Sequence, residues 1–190
     1  MKSTTIFKLL FAIACSSFFS TITSCTQTNG NKQAGAIITP EQNLEKLGIV
    51  LPEASQPIAT YVNCVRAGNL LFMAGKGPLK PDNTYITGKL GKDLSIEQGY
   101  EAARLTAIGH IAVLKAELGE LKRVKRIVKV LGMVNCTDDF YEQPKVINGY
   151  SDLMVSVFGE KGKHARSAVG MNALPTNIAV EVEAIIEIED

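Results

Sequence analysis

The sequence predicts an α+β domain, a mixed β-sheet with two helices on one face and elements ordered ββαβαββ. Three observations carry that prediction. Short β-rich runs stand at both ends of the domain, Tyr61–Arg66 and Leu70–Gly75 early, His164–Val169 and Val180–Glu187 late. Two stretches with helical apolar spacing lie between them, and a β-branched run, Val124–Val134, separates the two helices. Helices gathered on one face of such a sheet make an α+β layer pair.

The elements follow in order. Thr39, Pro40 and Gln42 form a capping box with Pro at the first helical position, and Gly48 supplies a stop, which predicts a short helix over 40–47. Pro52 and Pro57 punctuate an extended lead-in, and Ala67-Gly68-Asn69 turns the first two strands into a hairpin. A loop rich in Gly, Pro, Asp and Asn runs to about Lys92. Ser95 with Gln98 then caps a helix whose buried stripe is Ile96, Tyr100, Ala103, Ala107, Ile111, Leu114 and Leu118, ended by Gly119. The strand Val124–Val134 is broken by Lys125, Arg126 and Lys129. Pro144 opens the second main helix, with Val146, Tyr150, Leu153 and Val157 inward, and Gly159 to Lys163 ends it. Two strands joined by a turn at Pro175 close the chain and read as an amphipathic hairpin. Arg166 begins its first strand and Glu181 comes early in its second. The second sheet face is too apolar to stay wet, so self-association is expected to cover it.

The chain has 190 residues and a formal charge of +1, which suits one domain, expected over 39–190. Nothing in that balance points to nucleic acid or to an anionic membrane surface. Residues 1–24 read as a lipoprotein signal peptide: Lys2 and Lys8 form the basic end, Leu9 to Phe19 the apolar run, and Ile22-Thr23-Ser24-Cys25 a lipobox. Cys25 is the expected lipidation site, 25–38 a polar tether, and the expected address is exported and membrane-anchored. Losing two lysines with the signal would leave the formal charge at −1. Of the four cysteines, Cys64 and Cys136 remain in the domain and read as unpaired buried thiols. Two isolated histidines and two distant cysteines make no metal constellation. Phosphate loops, nucleophile elbows and dinucleotide fingerprints do not occur.

The block His164-Ala165-Arg166-Ser167-Ala168-Val169, then Ala173-Leu174-Pro175, then Val180-Glu181-Val182-Glu183, resembles the signature of the reactive intermediate deaminase family, Rid or YjgF. The resemblance extends from about Pro57 to Ile188. It implies a trimer resembling chorismate mutase, with sites in clefts between subunits and no cofactor. It also implies hydrolysis of small 2-imino or enamine acids to 2-oxo acids and ammonia, as in a 2-iminobutanoate/2-iminopropanoate deaminase. Arg166 and Glu181 match the catalytic positions. Tyr61, Gly75, Asn148 and Ala168 match positions that line the pocket or bind substrate.

The chemistry suits those residue types. A guanidinium is a planar fork that grips a carboxylate through two parallel hydrogen bonds. A carboxylate such as Glu181 can hold and deprotonate water. If the last two strands formed a simple hairpin about Pro175, Glu181 would be offset from Arg166 by about three residues, roughly 10 Å along the strands. The base-rate readings are a solvated Arg at a strand end and a Glu on the wet face of an alternating strand. Ala74 stands where the family commonly has Ser, which removes a hydroxyl. Lys76 stands where Gln is common, and its cation would widen the preference toward dianionic ligands or sit in solvent. His164, two residues before Arg166, reads first as a loop residue, and because His titrates near neutrality its side chain could still tune the site. The competing reading is a non-catalytic trimer that binds small carboxylates. An endoribonuclease fits less well, since affinity for RNA needs a basic surface and stacking aromatics.

Overall fold

Both predicted capping boxes form. The computed structural model describes residues 38–54, 57 and 59–189; the expected signal peptide, Cys25 and the tether as far as residue 37 lie outside the described residues. Thr39 accepts from the Gln42 N–H and starts helix α1 (Pro40–Lys46), and Ser95 does the same with Gln98 at the head of α2 (Ile96–Leu118). The strands are β1 (Cys64–Ala67), β2 (Leu70–Lys76), β3 (Val124–Asn135), β4 (Ala165–Met171) and β5 (Val180–Ile188), with α3 (Gln143–Phe158) between β3 and β4. The order ββαβαββ follows, preceded by α1. The first strand begins later than the sequence predicts, at Cys64, which leaves Tyr61 in the irregular segment before it.

The five strands form one sheet in the order β1-β2-β5-β3-β4. The expected C-terminal hairpin does not form. β4 lies at the edge, parallel to β3, while β5 crosses to the far side of β3 and runs antiparallel to both β3 and β2. The link passes over the end of β3 through a turn at Pro175–Asn177, with Thr176 and Asn177 at φ 51° and 59°. Asn135, buried at that end, donates Nδ2 to Asn177 Oδ1 (3.0 Å) and to the Ile178 carbonyl (3.2 Å), which holds the crossing. Composition explains the exchange. β5 carries Val180, Val182, Ala184 and Ile186, all buried, and gains two neighbours at the centre. β4 contains Ala165, Ser167 and Gly170, which suit an edge.

Register assigns the faces. Val130, Gly132 and Val134 of β3 align with Ala184, Val182 and Val180 of β5, and all turn toward the helices. A Cβ on Gly132 would meet Ile147 of α3 at 2.6 Å, so the glycine lets that helix lie close. Helices α2 and α3 also approach closely at Gly149, where a Cβ would strike the Tyr100 carbonyl, its carbon 2.8 Å away. The opposite face carries Val65, Phe72, Leu131, Met133, Ile185 and Val169. Val65, Phe72 and Val169 are 56%, 44% and 39% exposed. A concavity of about 500 Å³ opens there between Val65, Phe72, Lys129, Leu131 and Ile185.

Candidate functional site

Arg166 is the second residue of β4 and aligns with Val130, so its side chain leaves the sheet on the helix side and meets α3. Nη1 donates to Asn148 Oδ1 (3.0 Å) and Ser151 Oγ (2.9 Å), and Nη2 to the Pro144 carbonyl (3.4 Å). A guanidinium has five N–H donors. Three are engaged here, and among the described residues Nε–H and the second Nη2 hydrogen remain for a ligand. Of the four expected pocket residues, Asn148 touches Arg166 and Ala168 follows it on the same face of β4. Ser151 was not anticipated. It stands one helical turn after Asn148, and i, i+3 spacing on that helix is the signal that would have found it.

Glu181 lies elsewhere. It pairs with Met133, on the face away from the helices. Its carboxylate covers Gly75 at the end of β2, where a Cβ would meet Glu181 Oε1, with Cδ at 3.0 Å. Burial, then the neighbouring charge of Glu183, push its pKa up and make it a stronger base than a solvated glutamate. Because Arg166 aligns through Val130 with Ala184, the three-residue offset holds along the strands. However, β3 stands between the two residues, another ~10 Å across, and the two point to opposite faces. One chain therefore does not bring Arg166 and Glu181 over one small molecule, and the expected meeting across a hairpin fails with the hairpin. Tyr61 lies half exposed before β1.

Two further polar groups complete the surroundings. Lys76 donates to Asn63 Oδ1 (2.7 Å), and burial lowers its pKa. His110 of α2 is fully buried. The Ala74 carbonyl (3.1 Å) can only accept, so His110 Nε2 carries the hydrogen, and Nδ1 accepts from the Tyr150 hydroxyl (2.8 Å). Burial brings its pKa down to about 4. This neutral bridge fixes the backbone just before Gly75. Cys64 and Cys136 are both unpaired. Among the described residues no group of three or more His, Cys, Asp or Glu could hold a metal ion.

Residues 41–188 match the family model described as "YjgF/chorismate mutase-like, putative endoribonuclease". The protein TCP17 of Trypanosoma cruzi is 45% identical over 149 residues, 78% of this chain and 93% of the relative. A 2-iminobutanoate/2-iminopropanoate deaminase of Dermatophagoides farinae is 30% identical over 142 residues, 74% of this chain and 95% of its own. Among solved structures, a protein of unknown function from Agrobacterium tumefaciens superposes with a TM-score of 0.74 at 41% identity, covering 80% of this chain and 94% of that one.

Proposed function

The chain belongs to the YjgF/chorismate mutase-like family, and on that premise we propose that it hydrolyses small 2-imino or enamine acids to 2-oxo acids and ammonia. The observation that carries this reading is the half-used fork of Arg166. Nη1 and one Nη2–H are tied to α3, while Nε–H and the other Nη2–H have no partner among the described residues. That pair fits the two oxygens of a carboxylate. In a 2-imino acid the carboxylate adjoins the reacting C=N carbon, so clamping it orients that carbon. Water then adds to the carbon as Glu181 takes one of its protons and passes it to the nitrogen, giving a carbinolamine. Glu181 next moves the hydroxyl proton to the nitrogen as the C–N bond breaks and the C=O bond forms, which releases ammonia and leaves the 2-oxo acid. The raised pKa of Glu181 suits the proton transfer.

Since Arg166 and Glu181 face opposite ways in one chain, the site we propose is shared. Arg166, Asn148 and Ala168 come from one subunit; Glu181, Gly75 and Tyr61 come from the next. A homotrimer supplies three such clefts and covers the apolar face that bears Val65, Phe72 and Val169. Light scattering tests this, and a monodisperse monomer would end the shared-site reading. Carboxylate binding without turnover is the second reading, favoured by Ala74, which offers no hydroxyl beside Gly75. We also propose export with a lipid on Cys25. Unchanged partition of Cys25→Ala into detergent phase would refute it.

Ammonia release from imines generated in situ separates the readings. Arg166→Lys loses the fork and should lower kcat/KM about 10- to 100-fold, with Arg166→Ala worse in both binding and rate. Glu181→Gln should keep 2-oxo acid binding and lose turnover by about 10²-fold. Wild-type protein that binds pyruvate but releases no ammonia above background would establish the binding reading. If Arg166→Ala alters neither binding nor turnover, Arg166 is a surface residue and the deaminase reading falls.

A further inference from the structure

Helix hydroxyls in this protein ordinarily bond backward to their own helix. Thr106 donates to the Ala102 carbonyl (3.0 Å) and Ser156 to that of Asp152 (2.7 Å), the i−4 bond expected of Ser and Thr inside helices. Ser151 does otherwise. Its oxygen lies 3.0 Å from His164 Nε2 and accepts from Arg166 Nη1 at 2.9 Å. The hydrogen positions follow by elimination. His164 Nδ1 lies 2.7 Å from the Gly162 carbonyl, which can only accept, so Nδ1 carries the proton. Nε2 of the neutral ring is then an acceptor and takes the Ser151 hydroxyl hydrogen. This leaves the lone pairs of Ser151 turned toward the guanidinium. The ring itself is held edge-on to Tyr150, centroids 6.3 Å apart at 78°. Burial, then the Arg166 cation, lower the pKa of His164 and keep it in the neutral state this arrangement needs.

We propose that His164 is a positioning residue that acts through Ser151 to hold Arg166 in its ligand-ready rotamer. The turn at Gly159–Gly162 fixes His164, His164 directs the Ser151 hydroxyl, and Ser151 shares Nη1 with Asn148. Nη1 thus has both hydrogens occupied, by Asn148 and Ser151, and with Nη2 donating once to the Pro144 carbonyl, Nε–H and one Nη2–H keep no partner among the described residues. Without His164 the Ser151 hydroxyl reverts to the i−4 carbonyl of Ile147, and the fork keeps only Asn148 and the long bond to Pro144. The proposal rests on the carboxylate-clamp reading of Arg166 but concerns a different pair of residues.

The test uses the full chain and two readouts. Without ligand, the Arg166 Nε–H resonance reports whether the guanidinium is ordered. Pyruvate titration reports the clamp whether or not the protein turns anything over. In wild type the Nε–H signal should be discrete. His164→Leu and Ser151→Ala should each average it toward exposed arginines and weaken pyruvate about tenfold. His164→Gln, whose amide oxygen can accept from Ser151, should restore both. The double variant should be no worse than the worse single one, because both act on one link. A discrete Nε–H signal and unchanged pyruvate affinity in both single variants would overturn the proposal, as would losses that add in the double variant. Should His164→Leu fail to fold, Ser151→Ala and the His164→Gln rescue decide. If wild type shows the ordered resonance and its loss in the variants but binds no pyruvate, the relay stands and the carboxylate-clamp reading fails.

Discussion

Mild acid should loosen this domain through one buried side chain. His110 is enclosed between α2, Tyr150 and the Ala74 carbonyl, and burial lowers its pKa from 6.5 to about 4. Lys76 opposes its charge as well. Above pH 6.5 the ring is neutral in both folded and unfolded chains, so it contributes no pH dependence. As pH falls below 6.5 the unfolded chain binds a proton that the folded chain refuses, and stability is lost. At 1.36 kcal/mol per unit, the loss reaches about 2 kcal/mol at pH 5 and about 3 kcal/mol once pH passes 4. His164, also lowered, adds in the same direction. The carboxyls of Glu41, Asp82 and Glu187 are held low and lose their share at more acid pH, while the raised Glu181 works oppositely. The window from pH 7 to 5 is therefore dominated by the histidines. Urea unfolding at fixed protein concentration would measure it, since the proposed assembly would make stability depend on concentration. The comparison is His110→Gln, whose amide can make both hydrogen bonds without titrating. Wild type should lose about 2 kcal/mol between pH 7 and 5, and the variant only the His164 share. Equal losses in the two proteins, or a flat wild-type profile, would show that His110 is not the buried neutral group described here.

Two glycine substitutions probe packing and site separately. Gly149→Ala pushes a methyl against the Tyr100 carbonyl and the Arg104 nitrogen (3.1 Å) and must part α2 from α3, so it should cost about 3 kcal/mol in urea unfolding. Gly109→Ala, with nothing within 4 Å of its Cβ, should instead stabilise by about 0.5–1 kcal/mol; equal effects would refute the close-crossing account. The nearest atoms to the methyl of Gly75→Ala belong to the flexible side chain of Glu181. It should leave the unfolding midpoint nearly unchanged while lowering ammonia release about tenfold or more. Full turnover in that variant would remove Glu181 from the proposed chemistry.

What the sequence by itself determined is what local rules govern. Capping boxes at Thr39 and Ser95 and apolar spacing over Ile96–Leu118 and Val146–Val157 depend on neighbours within a few residues, and these helices form as read. The alternation of Val180, Val182, Ala184 and Ile186 likewise marks the buried face of β5. Arg166 and Glu181 are legible as residues at strand beginnings, whereas Asn148 entered through the family resemblance as a pocket-side residue of the second helix, and its contact with Arg166 came from the structure. The tertiary structure alone decided which strands became neighbours. A linker with Pro175 suits a tight hairpin and a crossing over β3 alike. The choice rested on the apolar surface that β5 buries at the centre of the sheet and on Asn135 bonding to the far side of the turn. Because side chains alternate between faces, the odd three-residue offset sets Arg166 and Glu181 on opposite sides of the sheet, and the crossing adds the width of β3 between them. The pairing of Ser151 with His164 was hidden for the same reason. It joins a helix to the start of an edge strand through a hydrogen bond whose direction depends on a carbonyl two residues away, and no periodicity in the chain encodes it.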